Sequence, residues 1–112
     1  MTDTNPNLNP EVLERFKANP DAFFQQDFST WGVNTFNTYS GILEWLNKNR
    51  PNSPYIVRVV LQMLDYMKHC YDNDLDFPWE QSFPPADGKS SKENFLDYYR
   101  KNIGPIREMA RR

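Results

Sequence analysis

Ile56, Val59, Val60, Met63, Leu64, Met67 and Tyr71 recur at intervals of three and four residues, the spacing that places side chains on one face of an α-helix. Arg58, Gln62, Asp65 and Lys68 fall between them. A helix over about 54–72 with a wide apolar stripe is therefore predicted, and such a stripe must be covered by other elements. Most of the remaining chain offers the same period. Val33, Phe36, Tyr39, Ser40, Leu43 and Leu46 predict a helix over about 33–48, weakened locally by Gly41, which can also mark a close helix contact. Phe95, Leu96, Tyr99 and Ile103 predict another, opened by the capping box Ser90-Ser91-Lys92-Glu93 and stopped at Gly104-Pro105. No strand-like alternation runs longer than four residues. The chain reads as all-α, a small bundle of four to five helices.

Turn formers punctuate this pattern. Asn9-Pro10-Glu11 and Asn19-Pro20-Asp21 each set an N-cap residue, a first-turn proline and a first-turn acid in order, which predicts short helices over about 10–18 and 20–27. Val12, Leu13 and Phe16 share a face of the first. The second needs Phe23, Phe24 and Phe28 packed elsewhere to persist at all, because helices this short are unstable alone. Residues 1–8 are polar without apolar period and read as a flexible segment before a single domain over 9–112. Asn47 to Asn52 is a break, and Ser53-Pro54 opens the long helix. Residues 73–90, NDLDFPWEQSFPPADGKS, hold three prolines and a glycine and cannot be helical throughout. A loop of this length in 112 residues is long, and long ordered loops are often functional.

Composition narrows the function classes. Eight Phe, six Tyr and three Trp supply burial that aliphatic residues would otherwise provide. The single cysteine, Cys70, excludes an internal disulfide framework and a multi-cysteine metal site, and favours a reducing, cytoplasmic setting. No apolar run approaches the roughly 20 residues of a membrane span, and the start lacks the basic and apolar regions of a signal peptide. The formal net charge of −2 disfavours nucleic acid as the main partner. That charge is unevenly spread. Residues 60–87 carry Asp65, Asp72, Asp74, Asp76, Glu80 and Asp87 against Lys68, giving −5, whereas 88–112 carry seven bases against three acids, giving +4. The two stretches can complement each other, and a basic tail of this size attracts phosphate only weakly.

Candidate chemistry is sparse. Asp72, Asp74 and Asp76 alternate like the opening of a calcium loop, but Phe77 stands where the turn glycine belongs and Phe83 where the bidentate glutamate belongs. His69 and Cys70 are adjacent, so on a helix they point about 100° apart and do not form a nucleophile–base pair. Phosphate loops, nucleophile elbows and paired histidines at metal spacing are missing from the sequence. These signals point to a non-catalytic chain without metal or cofactor, while a small ligand-binding or enzymatic bundle is the alternative. The residues that stand out are the loop rings Phe77, Trp79 and Phe83 with the acids Asp74 and Asp76. They admit two readings. The rings can fold back as a lid on an aromatic core, or stand at the surface as anchors for a larger protein partner, with Trp79 foremost among them.

Several short pieces resemble the small delta subunit of the alternative, vanadium or iron-only, nitrogenases. They are Phe24 to Trp31 (FQQDFSTW), Gly41-Ile42-Leu43, Phe77-Pro78-Trp79 after a long helix, and Ser91-Lys92-Glu93 opening the next. Residues 80–90 lengthen the interval between Pro-Trp and Ser-Lys-Glu, and the C-terminal end differs from that family. The resemblance implies a helical, cofactor-free subunit docked on a larger metalloenzyme. The expectation common to both lines is an accessory subunit, adaptor or regulator that binds another protein.

Overall fold

A computed structural model describes residues 10–24, 28 and 31–111. The expected flexible segment 1–8 and the cap Asn9 lie outside the described residues, as do 25–27 of the second predicted helix. The elements in chain order are α1 (Pro10–Ala18), a 3-10 turn (Pro20–Phe24), α2 (Val33–Asn49), α3 (Tyr55–Asp72), α4 (Trp79–Ser82) and α5 (Ser91–Ala110). Among the described residues there is no strand beyond an isolated bridge between Ala86 and Lys89, and no helix is long and apolar enough to cross a membrane. The fold is all-α, as the periodicity requires.

The wide stripe of α3 explains the arrangement. This helix lies between α2 and α5 and packs against both. Val59, Leu64, Tyr66, Met67 and Cys70 are buried on it, more of its circumference than one face, because it is covered from two sides. α2 contributes Phe36, Tyr39, Ile42 and Leu46 to the core, and α5 contributes Phe95 and Ile106. Gly41 is buried. The N-terminal pair closes one end through rings: Phe16 meets Phe23 and Phe24 edge-on at 5.5 and 6.4 Å, and Phe24 stacks on Tyr55. The Tyr39 hydroxyl donates to the Phe23 carbonyl. Where an α-helix was expected over 20–27, the described part is a 3-10 turn, since five residues leave little room for the i to i−4 series.

The stop expected at Gly104-Pro105 does not occur. α5 continues through both residues to Ala110, with Pro105 in its interior, and Gly104 does not adopt the left-handed conformation of a stop. Two contacts favour continuation. Ile106 is buried, and Arg107 Nη2 reaches the Tyr99 hydroxyl at 3.0 Å and Asp65 Oδ1 at 3.4 Å. Tyr99 also donates to Asp65 Oδ1 at 3.0 Å, so Asp65, placed on the surface by the sequence pattern, joins α3 to α5. Burial and the Asp65 carboxylate hold the Tyr99 hydroxyl above its ordinary pKa.

α3 ends in a Schellman motif. The Leu75 amide donates to the Cys70 carbonyl at 2.9 Å, the Asp74 amide donates to the Tyr71 carbonyl at 3.4 Å, and Asp74 takes φ +53°. Glycine is the preferred residue there, and aspartate is tolerated. Asp74→Gly is therefore expected to stabilise the fold by about 0.5 kcal/mol despite the loss of an exposed ion pair to Lys92. Asp74→Ala, which keeps Cβ and loses the polar side chain, is expected to destabilise by about 1 kcal/mol. Urea titration of the two variants checks the opposite signs, and a matching sign would remove the backbone argument.

Candidate docking site

The segment from Asn73 to Ser90 is ordered by local chemistry rather than by regular structure. After the Schellman end, α4 makes a single turn over Trp79–Ser82. Ala86 and Lys89 then exchange backbone hydrogen bonds at 3.2 and 2.9 Å across Asp87 and Gly88, both at positive φ. That is the signature of a tight turn favouring Asp-Gly, a signal carried locally by Asp87-Gly88. Ser90 closes the segment as the expected capping box: its hydroxyl accepts from the Glu93 amide at 3.2 Å, and its own amide donates to Glu93 Oε1 at 3.0 Å. Those bonds hold the Glu93 carboxyl below its ordinary pKa, the backbone bond from Ser90 most of all. Lys89 pairs with Asp97 at 2.5 Å, which raises the ammonium and lowers the carboxyl, and Asn94 Nδ2 donates to the Pro84 carbonyl at 3.1 Å.

The three loop rings turn inward. Phe77 meets Phe36 edge-on at 4.9 Å and lies 4.9 Å from Trp79. Trp79 is only 7% exposed and packs 5.0 Å from Phe95, with Tyr71 edge-on behind it. Phe83 is half-buried between Phe95 and Tyr98. The lid reading thus describes how all three sit in this chain, and the expectation of Trp79 as a surface anchor is corrected in one respect: its ring is enclosed, because packing on Phe95 removes its apolar area from water. Asp74 and Asp76 are exposed, with Asp74 3.2 Å from Lys92. Leu75 between them is 43% exposed. The structure brings Phe77, Trp79 and Phe83 together and leaves Asp74 and Asp76 on the outer surface.

A cleft of about 560 Å³ runs between α4 and the first turn of α5. Phe77, Pro78, Trp79 and Pro85 form apolar lining, and Ser91 and Lys92 close the helix side. Ser91 is 8% exposed and was not singled out by sequence reasoning; its only signal was a second serine inside the capping sequence. Two buried polar atoms of the lining residues, Trp79 Nε1 and Ser91 Oγ, have no hydrogen-bond partner.

The residues considered for catalysis are placed otherwise. Cys70 is 1% exposed, and burial pushes its thiol up, away from the nucleophilic thiolate. Burial likewise pushes the neighbouring Tyr66 hydroxyl up to about 12. The His69 ring lies near Tyr66 and Phe28, with Asn73 Nδ2 3.4 Å from its Nδ1. Among the described residues, no three His, Cys, Asp or Glu side chains converge as a metal-binding group. The acidic and basic stretches do meet, through Lys92 with Asp74 and Arg107 with Asp65. Compared with family models, curated proteins and solved structures, the chain matches none.

Proposed function

We propose that the chain is a non-catalytic protein-binding subunit, an accessory, adaptor or regulator that docks on a larger protein through the outer surface of residues 72–87. The observation that carries this reading is that backbone hydrogen bonds and inward rings tie the segment to the bundle while Leu75, Asp76, Glu80 and Asp87 stay exposed. A loop ordered in advance loses little conformational entropy on association, and an apolar side chain ringed by acids supplies contact without general stickiness. The inward rings serve the interface by fixing its shape. The enclosed Cys70 thiol supports a non-catalytic role, and a free cysteine supports a cytoplasmic location. The resemblance to nitrogenase delta subunits is a specific form of the same proposal, with a metalloenzyme as the larger protein. A second reading, a small ligand-binding bundle, is favoured by the cleft volume of about 560 Å³, a size suited to small molecules.

The test compares the full chain with Leu75→Glu/Asp76→Lys as baits in extract of the native host. Both positions are exposed, so the variant should keep the wild-type melting temperature. A single protein retained in stoichiometric amount by the wild type, with recovery reduced about tenfold or more by the variant, is the expected result. Equal recovery by both baits, or none by either, would overturn the reading.

A further inference from the structure

We infer that a second cleft, between the first turns of α3 and the last turns of α5, binds a phosphate monoester whose terminal oxygens meet the guanidinium groups of Arg58, Arg107 and Arg111. The cleft measures about 340 Å³; Arg58, Leu61 and Gln62 line it from α3, and Arg107, Ala110 and Arg111 line it from α5. Each triplet has the spacing i, i+3, i+4 and so forms one face of its helix. The helices run antiparallel, since Tyr71 lies by Phe95, Asp65 bonds Tyr99, and the two triplets follow in the same order. Packed helices lie about 8–10 Å apart and one turn rises about 5.4 Å, so side chains as long as arginine reach one group from all three positions. The arginines are accessible: Arg58 is 35% exposed, Arg107 49% and Arg111 75%.

Charge is sorted around the cleft. Among the described residues no acid belongs to its lining. The acids nearby engage the arginines singly: Asp21 Oδ1 accepts from Arg58 Nη1 at 2.8 Å, Asp65 Oδ1 from Arg107 Nη2 at 3.4 Å, and Glu108 Oε2 from Arg111 Nη1 at 3.4 Å. Each contact takes one terminal nitrogen of a group that carries five N–H donors, and such exposed pairs are weak, so a dianion competes with them at little cost. The basic tail alone attracts phosphate only weakly. The cleft adds Arg58 from another element, its guanidinium carbon 4.3 Å from the centroid of the Phe24 ring. A carboxylate offers two oxygens and one charge to three forks, whereas a phosphate monoester offers three oxygens and a charge of about −1.5 to −2. The organic substituent is left for Phe24, Leu61 and Ala110, the apolar part of the lining. Seating requires only rotation of exposed side chains. The site shares no residue with the 72–87 surface, and the inference stands whether or not that surface docks on a protein.

Titration calorimetry of the full chain in phosphate-free buffer at low salt tests the site with phenyl phosphate, phenyl sulfate and capped phosphotyrosine. Phenyl phosphate should bind saturably, one per chain. Phenyl sulfate, the same shape with a single charge, should bind about tenfold more weakly. Arg58→Gln and Arg111→Gln should each weaken phenyl phosphate about tenfold, the loss of one charge-assisted hydrogen bond. Lys101→Gln removes the same charge from the exposed surface of α5 outside the cleft, and should change affinity by about twofold or less. Arg111→Gln should keep the wild-type melting temperature because its side chain is exposed, so its result stands even where Arg58→Gln fails to fold. Tighter binding of capped phosphotyrosine than of phenyl phosphate assigns the ester to a protein side chain; equal or weaker binding assigns it to a free small molecule, and either supports the inference. No saturable binding of either ester, equal binding of phenyl sulfate, wild-type affinity in Arg111→Gln, or an equal loss in Lys101→Gln would each overturn it.

Discussion

Trp79→Ala is expected to destabilise the fold by about 3–5 kcal/mol, the cost of deleting a buried large ring. The ring is enclosed by Phe77, Tyr71 and Phe95, and Phe95 itself is fully buried, so the deletion opens a cavity against residues that cannot move into it freely. Each aromatic pair lost adds about 0.5–1.5 kcal/mol beyond the buried area. Against a total stability of about 5–15 kcal/mol for a domain, this is a large share, and the melting temperature should fall by more than about 10 °C. Trp79→Phe should lose much less, because a ring still faces Phe95 and the indole N–H that disappears has no partner in the free chain. Calorimetric melting of both variants, with partner affinity measured where each is folded, separates packing from contact. A melting temperature near wild type for Trp79→Ala, together with a tenfold loss of affinity, would show that the ring works at the surface instead.

How much of this was legible beforehand depended on the range of the interactions concerned. The helices α2 and α3 follow from periodicity because burial repeats along one segment, and the capping box at Ser90 follows because its partners are three residues apart. The orientation of Trp79 was not legible. A ring beside proline and acids looks the same in sequence whether Phe95 lies beneath it or not, and that depends on how α5 returns across α3. Asp65 illustrates the same limit. Its spacing places it off the apolar stripe, yet Tyr99 and Arg107, 34 and 42 residues away, hold it at the joint of two helices. The Asp87-Gly88 turn is different in kind, since its signal was local and present.

Gly104-Pro105 shows tertiary contact overriding a strong local signal, and its reversal should have the largest stabilising effect. Inside a helix, proline removes a hydrogen bond and presses on the carbonyl four residues back, at about 3 kcal/mol, and glycine costs about 1 kcal/mol relative to alanine. α5 bears both in order to bury Ile106 and bring Arg107 to Asp65 and Tyr99. A Cβ at Gly104 meets nothing within 4 Å, so alanine fits there without displacement. Gly104→Ala alone should therefore stabilise by about 1 kcal/mol. Gly104→Ala/Pro105→Ala should stabilise by about 2–3 kcal/mol, since the unfolded chain regains some of the freedom that proline had removed. Guanidinium titration of the single and double variants measures the increments. A gain in the first and a loss on adding the second would mean that the proline bend is what carries Ile106 into the core; successive gains would mean that the contacts of Ile106 and Arg107 hold the helix through a segment its own sequence opposes.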